Sequence, residues 1–106
     1  MTGGRDRRTR QRFDCEFPVQ VISGEGELYG RTVNLSLGGM LLQIDPPLGY
    51  GERVTVRFRL PALAVDTEVE AIVRWSGGSQ NGLQFGSMRA RDVWALNRLF
   101  KTMAGS

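Results

Sequence analysis

Histidine is absent from this chain of 106 residues, and cysteine occurs once. Without an imidazole there is no histidine general base and no histidine zinc ligand, and one thiol cannot assemble a metal cluster. Cys15 has no second cysteine with which to form a disulfide. The single thiol therefore fits a reducing compartment or a small buried side chain, and a cytoplasmic location is expected. No apolar run approaches the roughly 20 residues that span a bilayer. The N-terminus also lacks the apolar stretch of a secretory signal, so neither membrane insertion nor export is expected. What remains, 41% hydrophobic and 24% charged, fits one small globular domain with no room for a second core.

The net charge of +3 is unevenly placed. Residues 1 to 12 carry Arg5, Arg7, Arg8, Arg10 and Arg12 against Asp6, a local charge of +4, and the remaining 94 residues sum to −1. Such an arm is expected to be flexible and to attract phosphates, whether of a nucleotide, a nucleic acid or a membrane surface. The planar fork of arginine binds phosphate bidentately and stacks on flat bases, which lysine does less well.

Beyond the arm, short apolar-periodic segments alternate with glycine-rich breaks, the rhythm of an all-β domain. Phe17, Val19 and Val21 form a first alternating strand, stopped by Ser23-Gly24-Glu25-Gly26. Leu28 to Leu35 returns as a second strand, and Ser36-Leu37-Gly38-Gly39 breaks it before Met40 to Ile44. Asp45 to Gly49, with two prolines, is a loop. Val54, Val56, Phe58 and Leu60 point inward on the next strand. Val69, Ala71, Val73 and Trp75 do so on the one after, which places Trp75 in the core. Ser76 to Gly82 reads as a long turn around Asn81-Gly82, leading to Leu83 and Phe85. About six short antiparallel strands in so small a domain avoid exposed edges by closing into a barrel.

From Met88 the period changes. Val93, Leu96, Phe100 and Met103 make the stripe of an amphipathic helix, with Ser87 as N-cap and Gly105 as stop, and Trp94 lies one position off that stripe. The stripe is expected to cover one end of the barrel. The organisation expected is a single domain over 5–104, with an arm over 5–12, a barrel over 13–86 and a helix over 88–103.

Two motifs stand in order: Arg8-Thr9-Arg10-Gln11-Arg12, an RxxxR, and Asn34-Leu35-Ser36-Leu37-Gly38-Gly39, an [Asp/Asn]-x-Ser-x-x-Gly. Together they make the chain resemble the PilZ domain, a bacterial receptor for the second messenger cyclic di-GMP. Arg12-Phe13 leading to Phe17-Pro18-Val19, Gly30 to Ser36, Gly38 to Leu42, Ala71 to Trp75 and Gly82 to Phe85 carry the likeness along nearly the whole chain. The resemblance implies a six-stranded PilZ-like β-barrel with a C-terminal helix, no catalysis, and cyclic di-GMP as ligand at Arg7, Arg8, Arg12, Asn34, Ser36, Gly38 and Gly39. Asn34 stands where Asp is commoner, so a charge-assisted bond to guanine N–H groups becomes a neutral and weaker one. An arginine just before the motif, here Arg7, is associated in the family with a stacked pair of ligands, which implies two molecules per chain.

The chemistry of the residues agrees with those roles. Arg8 and Arg12 can clamp phosphates or the O6 and N7 edge of guanine, and can stack on its faces. Asn34 and the Ser36 hydroxyl can bond a guanine's other edge, and Gly38 and Gly39 let the backbone come close. Arg31, Arg74 and Trp75 are further candidates. Ligand binding is expected to neutralise and order the arm. With no effector domain in the sequence, the change would be read by a separate effector protein, making the chain an adapter that is a monomer or a dimer. The alternative is a PilZ-like module that binds no ligand and serves only protein interaction. Specific nucleic-acid binding is disfavoured because the aromatics Phe17, Phe58, Trp75 and Phe85 follow core periodicity. An enzyme is disfavoured because Glu68 and Glu70 share a wet face with no pocket implied.

Overall fold

Alternation with a period of two carries the chain from Pro18 to Phe85, and a helical period takes over after it. The computed structural model describes residues 12–24 and 26–105. The strands are β1 (Phe13–Asp14), β2 (Pro18–Ser23), β3 (Gly26–Leu35), β4 (Gly39–Ile44), β5 (Arg53–Phe58), β6 (Thr67–Gly77) and β7 (Gln80–Phe85), followed by helix α1 (Ala90–Gly105). All pairings are antiparallel, in the order β1-β3-β2-β5-β6-β7-β4, and β4 pairs back on β3 to close the sheet. The six long strands thus form an antiparallel barrel without a free edge, and β1 is a two-residue addition beside β3.

Inward positions fill the barrel. Val19 and Val21 of β2, Met40, Leu42 and Ile44 of β4, Val54, Val56 and Phe58 of β5, Val69, Ala71 and Val73 of β6 and Leu83 and Phe85 of β7 are buried in one cluster. Full burial of such side chains stabilises by about 1.5–3 kcal/mol each. Helix α1 adds Ala95, Leu96 and Phe100 to the same cluster, so its apolar stripe seals one end of the barrel. Asp92, buried in its first turn, accepts a hydrogen bond of 2.9 Å from the Thr67 hydroxyl at the start of β6. The helix begins two residues later than its pattern suggests. Ala90 is its first residue and the Arg89 carbonyl takes the first N–H groups, so Arg89 rather than Ser87 holds the cap position.

A second difference lies in the β6–β7 hairpin. The strands continue to Gly77 and restart at Gln80, so the turn is Gly78-Ser79 alone, with Gly78 at φ +60° where a side chain is disfavoured. Asn81-Gly82 is strand, not turn. Asn81 is fully buried and its Oδ1 accepts the Leu48 N–H at 3.2 Å, pinning the loop that contains Pro46 and Pro47 to the barrel. The amide that made Asn81 look like a turn residue is instead used to bond a buried backbone donor.

Candidate functional site

Strict alternation along β3 would put Leu28, Gly30, Thr32 and Asn34 on one face. Thr32 is buried, but the register against β4 shifts between Thr32, opposite Leu42, and Asn34, opposite Leu41. This bulge turns Leu35 into the core and leaves Asn34 on the outside. The same event occurs on β6. Val73 lies opposite Leu83 and Trp75 opposite Gly82, so Arg74 and Trp75 both emerge and Trp75 is 51% exposed. The core position expected for Trp75 is therefore overturned by one extra residue in its strand.

The two bulges act on one surface. In register, Asn34 of β3 neighbours Leu41 of β4, Leu41 neighbours Gly82 of β7, and Gly82 neighbours Trp75 of β6. At about 4.8 Å between strands, this row spans roughly 14 Å of outer barrel wall. Its middle is low: Gly82 has no side chain, and the space a Cβ would take there is bordered by the Trp75 Cβ at 3.3 Å. Arg12 overhangs one end. Its Nη1 donates to Asn34 Oδ1 at 2.8 Å, joining the two sequence motifs across 22 residues.

The position of Arg12 follows from what comes next. Phe13 pairs with Leu35 and Asp14 with Asn34, and the Phe13 ring stacks on Phe100 of α1 with centroids 4.5 Å apart. The Thr32 hydroxyl accepts the Phe17 N–H at 2.8 Å and donates to the Cys15 carbonyl at 2.7 Å, so the segment after Arg12 is fastened along β3. Half-burial pushes the Cys15 thiol pKa up; the Thr32 contact offsets part of this and nearby Asp14 adds to it.

Around this row lie two adjoining depressions. One, of about 350 Å³, is lined by Arg12, Asn34, Leu41, Trp75 and Gly82. The other, of about 260 Å³, shares Arg12, Trp75 and Gly82 and adds Ser36, Gly38, Arg74, Leu83 and Gln84. Arg74 is held over it by a bond from its Nε to Gln84 Oε1 at 2.7 Å. A larger depression of about 530 Å³ lies beside them over β2, β5, β6 and β7 and shares Arg74 and Gln84. None of Arg12, Asn34, Ser36 or Gly38 lines it, so the motif chemistry belongs to the smaller pair.

Within the second motif the residues divide by role. Ser36 is 3% exposed, and its hydroxyl accepts the N–H groups of Gly38 at 3.1 Å and Gly39 at 3.2 Å, so it closes its own loop. Gly39 is buried against β7, where a Cβ would collide with the Leu83 carbonyl oxygen. Asn34, by contrast, presents its amide outward. Because only Oδ1 can accept from Arg12, the NH2 side is left for donation. Arg31 is turned to Glu16 at 3.6 Å and lines neither depression. Glu68 is paired with Arg57 at 2.7 Å on the outer wall. Arg7 and Arg8, like the rest of the arm before Arg12, lie outside the described residues. Among the described residues no helix is long and apolar enough to cross a membrane.

Sequence reasoning missed Leu41 and Gly82 as the floor of the site. Gly82 carried a signal, since glycine inside a strand marks a bulge or a close approach. Comparison with known proteins bears on the family and the fold. The family model described as PilZ domain matches residues 6–101. No curated protein matches the sequence. The crystal structure of the PilZ domain of CeSA from a cellulose-synthesizing bacterium is similar with a TM-score of 0.67 and 19% identity, covering 89% of this chain and 98% of that one. The Bacillus subtilis inhibitor of motility (MotI/DgrA) is similar with a TM-score of 0.69 and 24% identity over 90% of this chain, which spans 52% of that longer protein. At these identities the likeness to the solved structures speaks for the fold.

Proposed function

The chain belongs to the PilZ domain family, a non-catalytic receptor family, and we propose that it is a receptor for cyclic di-GMP that signals to a separate effector protein. The observation that carries this reading is the Arg12–Asn34 bond of 2.8 Å, which brings the two motifs to one surface beside an exposed tryptophan. Cyclic di-GMP offers two phosphates and two guanines. Arg8 and Arg12 take the phosphates and the O6 and N7 edges, for which guanidinium is the best bidentate donor. The NH2 of Asn34 donates to a guanine acceptor, and the Gly38 backbone, held by the Ser36 hydroxyl, forms part of the wall. Trp75 supplies a flat face on which a base can stack, and Arg74 adds charge.

Binding occurs by exchange. The Arg12 guanidinium leaves a neutral amide oxygen for a phosphate, a stronger charge-assisted partner. With an aspartate at position 34 the arginine would instead have to leave an ion pair. The arginines of the arm then fold over the bound ligand, and arm, ligand and barrel wall together present a new face to the effector. Arg7 beside Arg8 favours two stacked ligands per chain.

Isothermal titration of cyclic di-GMP into wild type and an Arg8→Ala/Arg12→Ala variant, with GTP and cyclic di-AMP as controls, tests this directly. Saturable wild-type binding at two ligands per chain, abolished in the variant and absent for the controls, is the expected result. One ligand per chain would refute the role given to Arg7. No wild-type binding at tens of micromolar, about 6–7 kcal/mol of affinity, would refute the receptor reading and leave an interaction module.

A further inference from the structure

The charge of the chain is segmented. Residues 13–88 sum to −4, whereas residues 89–106 sum to +3, so the C-terminal helix is a second basic element on an acidic barrel. Its one acid, Asp92, is turned inward onto Thr67. On the face away from the barrel, Arg91, Trp94, Arg98 and Lys101 follow one another at spacings of three, four and three, and all are exposed. Trp94 is 52% exposed, and the Arg98 guanidinium lies 5.2 Å from its ring centroid. Arg91 is paired with Asp92, and the nearby carboxylate of Asp66 is taken by Arg59 at 3.0 Å. Arg98 and Lys101 meet no carboxylate among the described residues.

Beside this stripe the helix and the loop before β6 leave an apolar slot of about 280 Å³, with Pro61, Ala62, Ala95 and Leu99 as walls and Arg98 and Thr102 at the rim. A slot of that size admits one large aliphatic or aromatic side chain. We propose that this face of α1 is a docking surface for an acidic amphipathic segment of a partner protein, which seats one apolar side chain in the slot and sets carboxylates against Arg98 and Lys101. Charge and shape select that occupant together. A bilayer would find a single tryptophan, because the apolar stripe of α1 is already spent in the core. A nucleic acid would find cations but an apolar slot with nothing to bond. The surface is separate from the Arg12–Asn34 site and does not depend on the ligand assigned there.

A short fluorescein-labelled peptide with one central Leu flanked by Glu residues is the probe, compared with its Leu→Ser and Glu→Gln forms, with phosphatidylglycerol vesicles and with duplex DNA. Saturable polarisation binding is expected, weakened by about tenfold or more in Arg98→Glu/Lys101→Glu and in the slot variant Ala62→Glu, and by either change in the peptide. Circular dichroism and cyclic di-GMP titration should stay at wild-type values in both variants. The proposal is overturned if the peptide does not bind, if the variants bind it as well as wild type does, or if vesicles or DNA are what these substitutions release. A wild type that binds the peptide and not the dinucleotide would refute the receptor reading while supporting this surface.

Discussion

Trp75 and Gly39 show how one residue can be given the wrong role by its type. The indole of Trp75 has the hydrophobicity and the strand parity of a core residue, yet it stands in solvent beside Arg12 and Asn34. Stacking of a base on an aromatic ring contributes about 1–3 kcal/mol, so Trp75→Ala should weaken cyclic di-GMP binding roughly tenfold to a hundredfold, with Trp75→Phe between it and wild type. Calorimetry that returns the wild-type affinity for Trp75→Ala would remove the ring from the site. Gly39 makes the converse case. It belongs to the motif, but the Leu83 carbonyl fills the place of its Cβ, so Gly39→Ala should cost about 1–3 kcal/mol of stability by overpacking, read by denaturant melts. Cys15 yields a pH prediction. Its raised pKa lowers the thiolate fraction at any pH below that value, so alkylation should run slower than for free cysteine and accelerate only at higher pH; an equal rate would contradict the burial of the thiol.

Elements couple the two ends of the molecule. The short strand β1 holds Phe13 against Phe100 of α1 while the preceding residue, Arg12, reaches Asn34. A single stacked pair therefore fastens the arm's root to the helix that seals the barrel. Loss of that ring in Phe13→Ala should lower stability by about 2–3 kcal/mol, a fall in Tm of roughly 10 °C or more, and should weaken ligand binding because Arg12 is no longer preset. If the melt of the variant overlays wild type, β1 is not fastened as described. The bulges in β3 and β6 act at the same scale. Each shifts the parity of one strand by one residue, and together they bring polar and aromatic groups to a wall that regular strands would have lined differently.

For the molecule as a whole, a basic arm over residues 1–12 and a basic C-terminal segment over residues 89–106 flank an acidic barrel, +4 and +3 against −4. Long-range attraction of an anionic ligand to the arm should therefore be screened by salt. Kd for cyclic di-GMP should rise a few-fold as the Debye length falls from about 30 Å at 0.01 M to about 8 Å at 0.15 M salt, and Arg8→Ala/Arg10→Ala should flatten that response. Titrations that are flat in salt for wild type would mean that the arginines do not meet the phosphates.

Alternation, glycine breaks and the change of period after Met88 were enough to read an antiparallel barrel capped by a helix, because side-chain direction in a regular element follows from position in that element alone. The two motifs were legible for a related reason, since arginine and the Asn-x-Ser-x-x-Gly loop carry their chemistry in residue type and spacing. What the chain could not show by itself was which wall those motifs share. A bulge is a property of a pair of strands, so the outward turn of Asn34 and Trp75 exists only against Leu41 and Gly82. In the same way Asn81, a turn residue by type, was made a buried anchor by Leu48, 33 residues away, whose N–H it accepts.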